Sequence, residues 1–261
     1  MTLRTLTDYL ESIAPLHLQE HYDNSGLIVG DPDMSLSGIM ISLDATESVI
    51  QDAIDNNCNV VLSHHPIVFK GIKRFSADSY VHRAVMMAIR HDIALYAIHT
   101  NLDNVLHNGV NERIAQQLGL HHLKVLKPLD TNPTIGAGCI GILNRPLEAN
   151  EFLDHLKTSM ELQIVKHTSL LNRRVHKVAI CGGAGSFLLS TALERHADAF
   201  VTSDFKYHEY FDADGRIVIC DIGHYESERF TIDLLIELLR HKFPTFALHF
   251  TKVNTNPVRY Y

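Results

Sequence analysis

The feature that most constrains the fold of this chain is the alternation of short apolar runs with segments of helical periodicity. The first half contains strand-like runs and helical patterns in turn, at residues 38–44, 46–57, 58–65, 78–91, 92–99 and 108–118. Strands that alternate with helices of this length are typical of α/β folds with largely parallel pairing. A further helix is predicted over residues 2–14, and Thr2 and Thr46 are the predicted N-caps of the first two helices.

A second α/β set follows residues 126–138, where the sequence LKPLDTNPTIGAG interrupts the pattern with prolines, an asparagine and glycines. This stretch is the best linker in the chain. The predicted elements after it are strands at 138–143, 162–167, 176–185, 198–204, 216–224 and 246–253, and helices at 148–160, 186–196 and 225–242. We therefore predict an α/β fold with two similar-sized domains, residues 1–127 and 128–261. The last strand is assigned to the second set, although the extreme C-terminus can pack back onto the first domain.

The composition argues against several classes of function. A net charge of −7 is unfavourable for general nucleic-acid binding, and the densest basic segment, residues 171–177, is interpreted as a solvated loop. No apolar run is long enough to cross a bilayer, and the N-terminus lacks the features of a secretory signal. The four cysteines form no Cys-x-x-Cys pair, which indicates buried, reduced thiols. A cytoplasmic protein without a membrane partner is expected.

Adjacent histidines at the end of a predicted strand are the first candidate site. His64 and His65 close the apolar run at 58–65 and precede Pro66. Neighbouring side chains on a regular strand point to opposite faces, so both imidazoles can serve one site only if the strand ends there and the chain turns. The alternative is one hydrogen-bonded core histidine and one surface histidine.

Two further polar motifs follow predicted strands. The motif HTNLDN contains His99 and Asp103, four residues apart, although a tight turn decorated by asparagines would also explain it. The motif DIGHYESE places His224 and Glu228 at i and i+4, and hence on one face of a first helical turn. The alternative for this motif is a helix N-terminus enriched in acidic residues, which does not explain the histidine.

Together these motifs predict a metal centre at strand ends, where open α/β sheets usually bind their ligands. Three imidazoles and two carboxylates would converge, from His64, His65, Asp103, His224 and Glu228. Imidazole combined with carboxylate suits zinc, iron or manganese. Five ligands exceed what one catalytic ion usually takes from protein, and a bridging carboxylate would let them serve two ions about 3.5–4 Å apart.

Two other segments are weaker candidates. CGGAGS, residues 181–186, follows a predicted strand and precedes a predicted helix, so its N–H groups could hold a phosphate, although tight packing alone would explain the glycines. TSDFKYHEY, residues 202–210, offers Asp204, Lys206, Tyr207 and His208, of which one or two could line a pocket.

The combination of motifs resembles a known family. In order, the chain contains DNSGLIVG (23–30), SHHP (63–66), HTNLD (99–103), CGGAG (181–185), TSDFKYHE (202–209) and DIGHYESE (221–228). This set and its spacing are similar to those of the GTP cyclohydrolase I type 2 homologues, also known as the Ngg-interacting-factor-three-like proteins. The resemblance covers residues 3–257 and is to the short form of the family, without an inserted middle domain.

The resemblance implies a dinuclear metal site in the cleft between two similar-sized α/β domains. The family's ligands correspond to His64, His65, Asp103, His224 and Glu228. Asp103 would be the natural bridging ligand, and His99 a nearby pocket group or proton shuttle. The resemblance also implies a homo-oligomer, commonly a toroidal hexamer.

The leading functional hypothesis is a hydrolase that uses two divalent ions, zinc, iron or manganese, on a nucleotide or a related heterocycle. By family resemblance, the reaction would be the ring opening of a purine, as in a GTP cyclohydrolase. Two alternatives stay open. One is a non-enzymatic metal-binding regulator or scaffold with a protein partner, and the other is a phosphoesterase.

Overall fold

Strands and helices alternate through most of the chain in the computed structural model, which describes residues 1–129 and 131–261. Within these residues the strands are β1 (Gly26–Val29), β2 (Ile39–Ser42), β3 (Val60–Ser63), β4 (Ala94–Ala97), β5 (His121–Leu129), β6 (Asn132–Leu147), β7 (Lys166–His167), β8 (Val175–Ala184), β9 (Ala199–Ser203), β10 (Val218–Asp221) and β11 (Leu248–Phe250). The α-helices are α1 (Leu3–Ile13), α2 (Glu47–Asp55), α3 (Tyr80–Arg90), α4 (Thr100–Asp103), α5 (Val110–Gln117), α6 (Ala149–Ser159), α7 (Leu189–Glu194), α8 (His224–Glu228) and α9 (Thr231–Lys242). Short 3-10 helices cover Leu16–Leu18, Ser186–Leu188 and Tyr207–Ala213.

These elements form two compact units, each with its own sheet. The first unit comprises Met1–Leu102 and Thr231–Arg259, and the second comprises Asp103–Phe230 and Tyr260–Tyr261. The sequence suggests a boundary at 127/128 instead, because the stretch with prolines and glycines resembles a linker. In the structure this stretch belongs to the sheet of the second unit.

The sheet of the first unit has the strand order β1-β4-β3-β2-β11. Its β2, β3, β4 and β11 are parallel, and β1 joins the edge antiparallel to β4. The central strands are in register, with Ser42 paired to Ser63 and Ser63 paired to Ala97. The carboxyl ends of these strands therefore lie side by side. Apolar residues of α2 and α3 pack with residues of this sheet in one core cluster.

The last strand corrects the assignment made from the sequence. The sequence pattern predicts that residues 246–253 belong to the second set, but β11 pairs in parallel with β2 and extends the first sheet. The pairing joins Leu248 to Ile39 and Phe250 to Ile41. Hydrophobic periodicity identifies such a strand but contains no information about which strand it will pair with.

The sheet of the second unit is mixed, with the order β5-β6-β8-β9-β10-β7. Parallel pairing joins β8 to β9 and β9 to β10. The neighbours β5 and β6, β6 and β8, and β10 and β7 are antiparallel. The prediction of largely parallel pairing is therefore correct for the first sheet and wrong for the second.

The predicted linker at 126–138 is wrong as local structure. Its residues in β5 and β6 pair as an antiparallel hairpin at the edge of the sheet, and Asp130 of the same stretch lies outside the described residues. An edge strand such as β5 tolerates Pro128. Gly136 and Gly138 have φ values of 146° and 64°, which residues with side chains rarely adopt. Proline and glycine here mark irregular pairing at an edge and not a linker.

The predicted helices are present, with two changes. Thr2 Oγ1 accepts a hydrogen bond from the N–H of Thr5, and Thr46 Oγ1 accepts one from the N–H of Val49, so both predicted N-caps are confirmed. The pattern at 225–242 is divided between α8 and α9, and the pattern at 186–196 between a 3-10 helix and α7. Among the described residues, no helix has the length and apolar character needed to cross a membrane.

Removal of the Phe200 ring should destabilise the second unit. Phe200 is 0% exposed in β9, and its ring packs edge-on against Phe205 with 6.2 Å between the centroids. We expect Phe200→Ala to lower the free energy of unfolding in urea by about 3–5 kcal/mol, because the core cannot fill the space left behind. The control is Phe211, which is 65% exposed. Phe211→Ala should change the free energy by less than about 0.5 kcal/mol, and equal losses would contradict the assigned burial.

Candidate metal centre

Three imidazoles lie together in the first unit, and we call them the histidine cluster. His64 and His65 directly follow β3, and His99 follows β4 after one intervening residue. The candidate ligand nitrogens of the three rings all lie within 4.8 Å of one another. Both adjacent histidines reach the cluster because β3 ends at Ser63, so the alternation of a regular strand does not separate them.

Each imidazole of the cluster bonds through Nδ1 to a fixed oxygen. The Nδ1–oxygen distances are 2.8 Å for His64 with the carbonyl of Ile98, 2.9 Å for His65 with Asp44 Oδ1, and 2.8 Å for His99 with Asp23 Oδ1. An Nδ1–H that donates to such an oxygen leaves the lone pair of the neutral ring on Nε2. Metal-ligating histidines are usually oriented by a bond of this kind.

The buried carboxylate of Asp23 organises the chain after β4. It accepts hydrogen bonds from His99 Nδ1, from the N–H and the hydroxyl of Thr100, and from the hydroxyl of Ser25. Burial raises the pKa of Asp23, but the hydrogen bond and the charge of His99, together with Thr100, hold it well below its usual range. Asp23 is therefore ionised and holds the His99 ring in place.

The first asparagine of the HTNLDN motif, Asn101, forms the decorated turn that the sequence offers as an alternative. Asn101 Oδ1 accepts a hydrogen bond from the N–H of His99 at 2.9 Å, and Asn101 Nδ2 donates to the carbonyl of Ala14 at 2.7 Å. The turn and the clustered imidazole are thus both present. The turn fixes the backbone from which His99 projects.

In the second unit, His224 and Glu228 lie on one face of α8. His224 Nε2 is 3.2 Å from Glu228 Oε2, as the i and i+4 spacing predicts. His224 Nδ1 lies 2.6 Å from Asp204 Oδ2, so this imidazole is also oriented by a carboxylate at Nδ1. The Glu228 side chain is 2% exposed.

Asp103 belongs to the second unit, at the end of α4. Its backbone carbonyl accepts a hydrogen bond from Asn111 Nδ2 at 3.0 Å. Burial, followed by the negative charges of Asp103 and Glu228, raises the pKa of the Cys181 thiol well above its usual range. Both carboxylates therefore act on the same buried thiol, which stays protonated in the metal-free protein.

Two carboxylates flank the His224 ring and favour its protonated form. Burial lowers the pKa of His224, but the hydrogen bonds and charges of Asp204 and Glu228 raise it to about 11. The hydrogen bond to His224 in turn lowers the pKa of Asp204. The negative charge that stabilises a proton on this ring would equally stabilise a metal ion that replaced the proton.

The glycines at the end of β8 are explained by close packing against the same pair of ligands. Gly183 has a φ of 63°, and a Cβ atom there would collide with Glu228 Oε1 and lie 3.3 Å from His224 Nε2. The N–H groups of Gly182 and Gly183 already donate to side-chain oxygens of the same unit. The structure therefore favours the packing interpretation of CGGAGS over phosphate binding.

Three aspartates that orient imidazole rings are either absent from the candidates taken from the sequence or given little weight there. Asp23 and Asp44 are not among the candidate residues, and Asp204 is only one of four in its segment. A signal was available, because Asp44 and Asp204 closely follow the parallel strands β2 and β9 at the carboxyl edges of their sheets. The remaining candidates of the segment, Lys206, Tyr207 and His208, are exposed.

Comparison with known proteins identifies the family. The family model described as Duf34/NIF3 (NGG1p interacting factor 3) matches residues 1–257. This chain belongs to the Duf34/NIF3 family. A protein of Clostridium acetobutylicum named GTP cyclohydrolase 1 type 2 homolog is 31% identical to this Duf34/NIF3 protein over 257 residues, which cover 98% of the chain and 94% of the relative.

Two further comparisons define the form of this family member. A relative of the same name from Staphylococcus epidermidis is 27% identical over 371 positions that cover 100% of both proteins. That relative therefore contains segments that this chain of 261 residues lacks, as expected for the short form. The crystal structure of Staphylococcus aureus protein SA1388 is similar with a TM-score of 0.90 and 26% identity, covering 100% of this chain and 99% of that one.

Gly183→Ala should destabilise the second unit more than Gly215→Ala. Both glycines have a φ of +63°, so both substitutions incur the cost of about 1–2 kcal/mol for a side chain in the left-handed region. A Cβ at Gly215 would have nothing within 4 Å, whereas one at Gly183 would meet Glu228 and His224. We expect an additional loss of about 1–3 kcal/mol in urea unfolding for Gly183→Ala. Equal losses would show that the turn does not pack tightly against the ligand pair.

Removal of the Asp204 charge should lower the pKa of His224. In metal-free protein this pKa is about 11, above the value of about 6.5 in an unfolded chain. The protonated ring therefore contributes stability that is complete below about pH 6.5 and is lost as the pH rises toward 11. Asp204→Asn should move the pKa toward its ordinary value in an NMR titration of the ring protons. Asp212→Asn, at an exposed position of the same unit, is the control and should leave the pKa unchanged.

Proposed function

We propose that this protein is a metal-dependent hydrolase in which His64, His65, Asp103, His224 and Glu228 hold two divalent ions. The observation that supports the proposal best is the bond from Nδ1 of every candidate imidazole ligand to a fixed oxygen. Two of these three oxygens are carboxylate oxygens. Carboxylate–histidine pairs of this kind orient metal ligands and increase the basicity of the ligating nitrogen.

The donor set fits ions of intermediate softness. Three imidazoles and two carboxylates match the preferences of zinc, iron and manganese, whereas calcium and magnesium favour ligands that are all oxygen. Native zinc, iron or manganese is therefore the proposed occupant.

His99 is the proposed proton carrier. Two bound divalent ions would lower the pKa of a water molecule and stabilise negative charge on the substrate. His99 belongs to the histidine cluster, and its Nδ1 is held by the buried carboxylate of Asp23. Its Nε2 can accept a proton from water and return it to the leaving atom, and Asp23 stabilises the imidazolium that forms in between.

The proposed reaction is the addition of water to a purine ring of a nucleotide, which opens the ring. Support for this substrate class comes from relatives that have the name GTP cyclohydrolase 1 type 2 homolog. A non-enzymatic role is a second candidate, because the family description refers to an interacting factor. Phosphoester hydrolysis at the same two ions is a third.

Elemental analysis of protein purified without added metal tests the metal site. We expect about two divalent ions per chain, and clearly less in His65→Ala and Glu228→Ala, because each variant loses a ligand. His241→Ala removes an exposed imidazole of α9 and is the control, which should retain the metal. An unaltered protein with almost no metal, even after reloading with zinc, iron or manganese, would refute the proposal.

Incubation of the same proteins with GTP separates the three functions. A ring-opened formamidopyrimidine, or a fluorescent pterin derived from it by loss of formate and ring closure, would support the cyclohydrolase reaction if the unaltered protein forms it and the ligand variants do not. Release of inorganic phosphate alone would favour the phosphoesterase. Retained metal with neither product would favour the non-enzymatic role.

A further inference from the structure

A cavity of about 560 Å³ in the first unit lies outside the proposed metal ligands. It is formed by residues between positions 67 and 82, which connect β3 to α3 and include the first turn of α3. A volume of this size is within the range of small-molecule binding sites. We call it the basic cavity because of the charges that line it.

Among the described residues, the permanently charged side chains that line the basic cavity are all cationic. They are Lys70, Lys73 and Arg74, and no aspartate or glutamate of the described residues lines the cavity. Asp78 is the acidic residue of the segment, and it lies outside the lining. Its carboxylate accepts a hydrogen bond from the hydroxyl of Ser76, and its Oδ1 lies 3.5 Å from His82 Nδ1. The cavity therefore offers a positive environment to a ligand.

Among the described residues, the lysines and the arginine of the cavity have no acidic partners. No residue in the described ranges forms an ion pair with Lys70, Lys73 or Arg74. Several arginines elsewhere are paired, as in Arg4–Asp33, Arg83–Glu47, Arg173–Asp198 and Arg174–Glu148. Like charges that lie close together without counter-charge repel one another, so an anion bound among them would relieve this repulsion.

The N-terminus of α3 also favours an anionic ligand. Ser79 is the N-cap of this helix of 11 residues, and it lines the cavity but makes no side-chain capping bond. The first N–H groups of a helix and its dipole favour negative charge at this end. The helix terminus and the three cations thus both favour an anionic ligand.

The basic cavity adjoins the histidine cluster through Phe69. Phe69 lines the cavity, and its ring lies 5.7 Å from the ring of His99, measured between centroids. The lining begins at Ile67, two residues after His65. Phe69 therefore lies between the cavity and the cluster.

We propose that the basic cavity binds the phosphate groups of the substrate, so that the proposed hydrolase acts on a nucleoside phosphate and not on a free nucleoside or base. This inference rests on the proposed function and assigns the site that binds the phosphates of its nucleotide substrate. A small polyanion suits a volume of about 560 Å³ better than an acidic peptide, which would need an extended groove. The cations bind the phosphates, and the heterocycle extends past Phe69 toward the cluster.

Binding of GTP and of guanosine, measured by calorimetry on the purified protein, tests the inference. Lys73→Ala/Arg74→Ala should bind GTP at least about tenfold more weakly than the unaltered protein, because two charge-assisted contacts are lost. Its affinity for guanosine should change by less than about twofold. Lys124→Ala/Lys127→Ala removes two exposed charges from β5 and is the matched control, which should bind GTP normally.

Several results would overturn the inference. These are unchanged GTP affinity in Lys73→Ala/Arg74→Ala, an equal loss for guanosine and GTP, or GTP binding by the unaltered protein that is no tighter than guanosine binding. An oligo-aspartate peptide provides a further test. If it binds the unaltered protein but not this variant, while GTP binding persists in the variant, the cavity would be assigned to an acidic protein partner instead.

A measurement on His65→Ala in EDTA separates this inference from the proposed function. That variant should lose metal and turnover but still prefer GTP to guanosine, since Lys73 and Arg74 are intact. If the unaltered protein binds no metal and the preference for GTP persists, the hydrolase proposal fails and the phosphate site stands. If metal and turnover are present but GTP binding is insensitive to the cavity cations, only the phosphate site fails.

Discussion

Bonds between imidazole Nδ1 atoms and fixed oxygens are the interaction on which the candidate site depends. An unrestrained imidazole rotates about two side-chain torsions, and either of its nitrogens can bear the proton. The bonds of His65, His99 and His224 to aspartate oxygens remove both freedoms. The precision of the site thus resides in carboxylates that orient the ligands and that need not touch an ion or a substrate themselves.

The same arrangement of strands builds an imidazole–carboxylate pair in each unit. In the first, Asp44 follows β2 and His65 follows β3, and these strands are parallel neighbours. In the second, Asp204 follows β9 and His224 follows β10, which are also parallel neighbours. Because parallel strands bring their carboxyl ends to one edge of a sheet, an acid after one strand meets a histidine after the next. The same local arrangement of aspartate and histidine therefore occurs at both sheets.

Sequence patterns predict the local elements and short-range contacts of this structure better than they predict contacts between residues far apart in the chain. The caps at Thr2 and Thr46 and the pairing of His224 with Glu228 depend on residues within four positions, and the structure confirms them. The aspartates that orient His65 and His99 lie 21 and 76 positions away in the chain. A single aspartate at a strand end looks like an ordinary turn residue, so its partner becomes visible only in the fold. The hairpin of β5 and β6 was missed for a related reason, since proline and glycine mark linkers and irregular edge strands alike.

The order of the elements along the chain also determines when each unit can finish folding during synthesis on the ribosome. The helix α9 and the strand β11 belong to the first unit, although almost all of the second unit precedes them in the chain. At synthesis rates of about 5–20 residues per second, the first unit waits roughly ten seconds for its final strand. During that interval β2 has an open edge of backbone N–H and C=O groups, which other chains can pair with. The hazard of aggregation therefore falls on the nascent polypeptide, and it ends when β11 closes the edge.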